Sequence, residues 1–145
     1  MARYLVDTNV LLRSAAPTSA HYASATEAIR RLRSRGERPL LAPQVIMEFW
    51  AVTTRPKEVN GYGWSASVAA ANVAALLARF PLLPETPAVF DEWLRLVSHH
   101  GVIGKQAHDA RLVAILNTHG VSHLLTFNVG DFQRYGIVVV SPEDV

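Results

Sequence analysis

The sequence predicts an α/β fold of three layers, α/β/α, with a central parallel sheet of four to five strands. Three observations point that way. The strand-like stretches at residues 3–6, 39–42, 124–126 and 137–140 are short and lack regular polar alternation, as expected of strands covered on both faces. Between them lie longer stretches with apolar residues at three- and four-residue spacing, the pattern of amphipathic helices. The joins carry helix start and stop residues: Pro43 and Ser65 at starts, Gly36, Gly101 and Gly120 at ends. Strands and helices that alternate in this way build a parallel sheet with right-handed crossovers.

In chain order, a buried strand over residues 3–6 leads straight into Asp7. A helix follows over residues 20–34, with Ala25, Ala28, Ile29 and Leu32 on its inner side, and Gly36 ends it. Residues 39–42 read as the second strand. Pro43, tolerated in a first helical turn, opens a helix over residues 44–54 that stops before Pro56. Residues 57–63 form a polar loop, and Ser65 caps an Ala-rich helix ending near Arg79. Residues 80–83, bracketed by Pro81 and Pro84, are the optional fifth strand. Thr86-Pro87 opens a helix with the apolar stripe Val89, Phe90, Trp93, Leu94 and Val97, terminated by Gly101. Residues 109–118 are a helix closed by Gly120, and strands over 124–126 and 137–140 complete the chain. With no internal repeat, low-complexity segment or interdomain linker, residues 1–145 are expected to form one domain.

Half of the 145 residues are hydrophobic, enough for a sizeable core, yet no run approaches the ~18 apolar residues of a membrane span. The N-terminus lacks the charged and apolar regions of a secretory leader. The absence of cysteine excludes disulfides, thiolate metal sites and thiol catalysis. A cytoplasmic protein with no membrane partner is expected. Charge is uneven. Residues 1–38 hold seven arginines against three acids, and the remainder holds seven basic residues against nine acids. Arg30, Arg31, Arg33, Arg35 and Arg38 cluster. A positive field beside an acidic site suits a polyanionic substrate; the plainer reading is a solvated helix end.

Three carboxylates stand where burial is expected. Asp7 ends the apolar run Tyr4-Leu5-Val6, Glu48 interrupts Val45-Ile46-Met47-Glu48-Phe49-Trp50, and Asp109 shares a helical face with Leu112, Val113 and Leu116. Burying a carboxylate costs several kcal/mol unless something compensates. Several in one place raise each other's pKa or recruit a cation. Oxygen ligands suit Mg2+ or Mn2+, which acidify water and offset charge on a phosphoryl oxygen. Sites in open parallel sheets form at the carboxyl ends of strands. Asp7 stands at such an end, and the turn Thr126-Phe127-Asn128-Val129-Gly130-Asp131 follows another.

Each acid also has a structural reading. Asp7, Asp109 and Asp131 can cap helices or turns, and Glu48 can reach solvent or pair with Arg55. The joint arrangement fits a metal-assisted hydrolase better. The histidines do not compete: His99-His100 precede a terminating glycine, His108 points about 100° away from Asp109, and neither set has zinc spacing. No serine lies in a nucleophile elbow, and no Gly-rich phosphate loop is present. A dehalogenase-type phosphatase would need a second Asp where Asn9 stands.

The opening Tyr4-Leu5-Val6-Asp7-Thr8-Asn9-Val10-Leu11-Leu12 resembles the start of PIN domains, in particular VapC-type toxin ribonucleases. Pro43-Gln44-Val45-Ile46-Met47-Glu48-Phe49 resembles the family's second motif, and His108-Asp109-Ala110-Arg111-Leu112-Val113-Ala114 its third. The stretch from Leu124 to Phe132 resembles the fourth. The motifs keep the family's order and span nearly the whole chain. The resemblance implies a PIN-like fold with Asp7, Glu48 and Asp109 around Mg2+ or Mn2+ and Asp131 as the fourth acid. Asn128 and Thr126 would orient water or a ligand. It implies a single-strand-specific endoribonuclease that hydrolyses RNA phosphodiesters with a metal-activated water, leaving 5′-phosphate and 3′-hydroxyl ends. It also implies a toxin of a type II toxin–antitoxin pair, a homodimer held in check by a small VapB-like antitoxin. The alternative is a catalytically silent PIN-like module that binds partners through its acidic pocket.

Overall fold

The computed structural model describes all of residues 1–145. Four strands, β1 (Arg3–Val6), β2 (Arg38–Leu40), β3 (His123–Leu125) and β4 (Val138–Val140), form one sheet in the order β2-β1-β3-β4. All three pairings are parallel. Leu5 lies between Leu40 and Leu124, and Leu124 lies beside Val139. Leu5, Val6, Leu124 and Leu125 are fully buried, as the unalternating sequence of these strands requires. Six helices cover the sheet: α1 (Thr8–Ser14), α2 (Tyr22–Ser34), α3 (Pro43–Thr54), α4 (Ala66–Arg79), α5 (Ala88–His100) and α6 (Gln106–Thr118). Helix α1 packs on α2 and α3, α3 on α4, and α5 on α6. The result is the expected three-layer arrangement around a contiguous core of 27 buried apolar residues.

The inner faces follow from sequence. Ala25, Ala28, Ile29 and Leu32 of α2 are all buried. In α6, Leu112, Val113 and Leu116 are buried together with Ala114 and Ile115, so this helix is sandwiched rather than one-sided. The Ser65 hydroxyl accepts from the Val68 amide at 3.2 Å and caps α4 as expected.

Several elements differ from expectation. Nothing in the sequence pattern marks helix α1, whose seven residues are too few to show a period. Residues 80–83 form no strand. Pro81 lacks a donor, and contact with the sheet side is a single parallel bridge between Leu41 and Leu82. The Leu41 amide donates to the Pro81 carbonyl and the Leu83 amide to the Leu41 carbonyl, so pairing starts and stops there. The sheet therefore has four strands. Helix α6 begins at Gln106, three residues before Asp109. On α5 the inward line is Val89, Trp93 and Leu96, whereas Phe90 and Leu94 are 62% and 48% exposed. The buried stripe is thus rotated by about one position from the expected one. The turn after β3 contains a short 3-10 segment, Val129–Tyr135, and another closes the chain at Pro142–Asp144.

Strand order fixes where a site can lie. From β1 the chain moves to β2 on one side, then crosses to β3 on the other side of β1. The connections leave the carboxyl ends of β1 and β3 in opposite directions, which opens a crevice there. Asp7 follows β1 and Thr126 follows β3, and the Asp7 amide donates to the Leu125 carbonyl at 3.0 Å.

Candidate active site

A cleft of about 310 Å3 sits at this switch point. Asp7, Glu48 and Asp109 all line it, with Thr8, Asn9 and Asn128. Three elements deliver the acids. Asp7 comes from the end of β1, Glu48 from the second turn of α3 and Asp109 from the first turn of α6. Asp7 is also the N-cap of α1: its Oδ1 accepts from the Thr8 amide at 2.7 Å. Asp7 thus caps α1 with one oxygen and still lines the cleft shared with Glu48 and Asp109.

Asp7 is 8% exposed and accepts hydrogen bonds on both oxygens. The Thr126 hydroxyl donates to Oδ2 at 2.8 Å and the Asn9 amide does so at 3.3 Å. These donors favour the charged carboxylate, but they do not offset the loss of water. Burial pushes the pKa of Asp7 up to about 6, opposed by the bonds from Thr126 and Thr8 and assisted by the charges of Glu48 and Asp109. No Lys, Arg or His forms an ion pair with Asp7, Glu48 or Asp109. Arg55, the expected partner of Glu48, lines the same cleft without pairing with it.

Glu48 is half-buried and held at both oxygens. The Thr8 hydroxyl donates to Oε2 at 2.9 Å and Gln44 Nε2 donates to Oε1 at 3.2 Å. Thr8 thus bridges two acids, its amide on Asp7 and its hydroxyl on Glu48. Asp109 is also half-buried. Burial raises its pKa first, then the charges of Asp131 and Glu48, and no hydrogen bond opposes the shift. Asp131 is exposed in the 3-10 segment after Asn128 and lies outside the cleft lining, close enough for its charge to act on Asp109. Thr126 is fully buried behind Asp7, and Asn128 faces the cleft.

The donor set is entirely oxygen, from carboxylates, hydroxyls and an amide, and its net charge is negative. That chemistry fits a hard divalent cation with retained waters. The carboxylates share the cleft, but no three His, Cys, Asp or Glu side chains are near enough to one another to surround a single ion. In the rotamers present, Glu48 is turned to Thr8 and Gln44.

From sequence, Asn9 is a polar residue able to satisfy the turn after Asp7 or to bind a metal-bound water, and Gln44 is a helix-face neighbour of Glu48; their bonds across the fold are found only in the structure. Asn9 is a clamp: Nδ2 donates to Asp7 and to Thr126 Oγ1, and Oδ1 accepts from the Phe127 amide, tying β1 to β3. Gln44 joins α3 to α6. It donates to the His108 carbonyl at 2.9 Å and accepts from Arg111 Nη1 at 2.9 Å, while Arg111 also pairs with Glu85. Gln44 had a signal in its position four residues before Glu48, one turn along the same helix face. Arg111 had none, because its partners are distant in sequence.

The family model described as the PIN domain matches residues 4–138. No curated protein matches the sequence. Among solved structures, the chain is similar to VapBC2 from Rickettsia felis bound to a promoter DNA fragment. Identity is 14%, TM-score 0.72, with coverage of 96% of this chain and 98% of that one. Similarity to DNA-bound VapBC from Salmonella typhimurium has 16% identity and TM-score 0.71, covering 98% and 99%. For VapC20 from Mycobacterium tuberculosis, a toxin that cleaves the sarcin–ricin loop, the values are 21% and 0.65, covering 93% and 96%. These likenesses are of fold. With the family model spanning nearly its whole length, the chain belongs to the PIN domain family.

Proposed function

We propose that the protein is a divalent-metal-dependent, single-strand-specific endoribonuclease of the VapC type, acting as the toxin of a type II toxin–antitoxin pair. One observation carries the reading: a buried carboxylate, Asp7, shares a cleft with Glu48 and Asp109, and no cation of the chain forms an ion pair with any of them. The toxin assignment is supported by the fold shared with VapBC complexes, and the choice of RNA by the fold shared with VapC20.

In this reading Asp7, Glu48 and Asp109 hold Mg2+ or Mn2+, with Asp131 adding negative charge beside Asp109. The cation, when bound, supplies positive charge against the phosphodiester oxygens and acidifies water. The chain's residues do the positioning. Thr126, Asn9 and the Thr8 amide fix the Asp7 carboxylate, and Thr8 and Gln44 fix Glu48. Asp109, which receives no hydrogen bond, keeps its oxygens free for the cation or for water. Asn128 is placed to orient water or a substrate oxygen. In the hydrolysis a water oxygen bonds to phosphorus, the bond from phosphorus to the 3′ oxygen breaks, and that oxygen takes a proton. The ends are a 5′-phosphate and a 3′-hydroxyl. A small VapB-like antitoxin and a homodimeric state belong to the same proposal, as does residence in the cytoplasm. No helix is long and apolar enough to cross a membrane.

One observation favours a second reading, a catalytically silent module using its acidic pocket for partners: the three acids do not converge on one point. Incubation of the purified chain with single-stranded RNA separates the two. Cleavage with millimolar Mn2+ that EDTA stops is the expected result. Intact RNA, together with no heat of Mn2+ binding by calorimetry, leaves the silent module.

A further inference from the structure

A second pocket, of about 400 Å3, has charge opposite to that of the acidic cleft. It opens between α2 and α4, with Tyr22, Arg33, Arg79 and Phe80 in its wall. Of the clustered arginines, Arg30 and Arg31 are taken up by Glu27, and Arg31 also by the Val145 carbonyl. Arg33 is not paired with a carboxylate, and neither is Arg79. The Arg33 guanidinium donates to the Arg79 carbonyl at 2.6 Å and lies 4.5 Å from the centroid of the buried Phe80 ring. The Arg79 guanidinium lies 5.5 Å from the same centroid. Two cations gathered on one ring repel each other, and an anion between them relieves the repulsion.

The remaining donors select the anion. The hydroxyls of Ser14 and Thr26, also in the wall, are committed to the carbonyls of Leu11 and Tyr22. The planar guanidiniums and the Tyr22 phenol are left to grip a ligand, with the Phe80 ring buried beneath them. Forked planar donors of this kind match the oxygens of a phosphodiester. The acidic cleft, in contrast, repels a polyanion and benefits from a cationic anchor nearby. Helix α1 connects the two. Thr8 and Leu12 line the cleft and Ser14 lines the basic pocket, with about 9 Å of helix between Thr8 and Ser14.

We propose that this pocket binds a backbone phosphate of single-stranded RNA, with Arg33 and Arg79 as its ligands and the acidic cleft a short reach along the strand. The choice of RNA rests on the ribonuclease reading; the anion site does not. The test is fluorescence anisotropy of a labelled 16-nucleotide single-stranded RNA in EDTA, across a salt series, for the wild-type chain and Arg33→Gln/Arg79→Gln. Affinity should fall roughly ten-fold, and the salt slope should shrink by about 0.7 for each phosphate no longer neutralised. Cleavage of a dinucleotide RNA in Mn2+, whose single phosphate cannot occupy both sites, should stay at the wild-type rate. Arg79→Gln alone, which removes a guanidinium with no ion-pair partner, serves if the double variant does not fold. Unchanged affinity and slope would overturn the proposal. So would unaltered RNA binding coupled to lost binding of a Glu-rich peptide, which would assign the pocket to a protein partner. If the wild-type chain cuts no RNA yet the two arginines still govern RNA affinity, the ribonuclease reading fails and the phosphate site stands.

Discussion

Thr126 shows how much one hydroxyl settles at this site. Its Oγ1 donates to Asp7 Oδ2 and accepts from Asn9 Nδ2 and from the Asn128 amide, both at 3.0 Å. Thr126→Val keeps the shape but strips a donor from a buried carboxylate and an acceptor from two N–H groups. Unsatisfied buried groups cost about 1–3 kcal/mol each, so the variant should lose about 3 kcal/mol in urea unfolding with EDTA present. Thr126→Ser, which keeps the hydroxyl, should lose about 1 kcal/mol or less. Equal midpoints for the two variants would show that the hydroxyl carries no such network. Asp7→Asn is expected to fold and to abolish Mn2+-dependent RNA cleavage, since an amide is neutral and puts a donor toward Asn9. A variant cutting at the wild-type rate would remove Asp7 from the mechanism. The three principal acids were legible in sequence because each breaks an apolar pattern. Asn9 and Gln44 were legible as polar neighbours of Asp7 and Glu48 but not as clamps, because a polar side chain in a turn or on a helix face has many ordinary uses.

The elements that carry these residues differ in how they are fixed. Helix α3 ends at Thr54, and the following loop is closed by four backbone bonds, two of them onto the helix. Gly61 donates to Pro56, Tyr62 to Val52, Gly63 to Arg55 and Trp64 to Thr53. A Cβ on Gly61 would lie 1.9 Å from the Arg55 carbonyl oxygen, and backbone on backbone cannot yield without moving the loop. Gly61→Ala should therefore cost about 2 kcal/mol or more, within the range of overpacking. Because Arg55 lines the acidic cleft, the variant should also change KM for RNA. A melting temperature within a degree of wild type would show that the loop is slack. The loop was readable as polar and glycine-containing, but the need for glycine at position 61 depends on a contact six residues away. The same limit hid helix α1 and turned residues 80–83 from strand to bridge. Seven residues show no period, and a proline-bracketed apolar run shows burial without showing which backbone groups can pair. Buried strands and long helices were legible because their pattern repeats.

The whole molecule couples folding to the charge of its cleft, and pH tests that coupling. Asp7 has a folded pKa of about 6 against an ordinary value of 3.8. A group raised in this way contributes its full stability below the unfolded value and loses it as pH rises through the folded value. Between pH 4 and 7 the metal-free protein should lose about 2 kcal/mol from this residue, or about 7 °C in melting temperature for a chain of this size. Glu92, whose pKa is lowered by Arg95, works in the opposite sense, its contribution vanishing as pH falls. The informative quantity is thus the difference between wild type and Asp7→Asn. Wild type should gain on the variant from pH 7 down to pH 4, because the amide does not titrate. Divalent metal competes with the proton for the same carboxylates. Millimolar Mn2+ should therefore raise the wild-type melting temperature at pH 7, do so far less at pH 4.5, and leave Asp7→Asn nearly unmoved, through linkage to the native state. A difference that stays flat across pH, with no Mn2+ response at pH 7, would mean that the cleft carries neither the strained charge nor the cation that the nuclease reading requires.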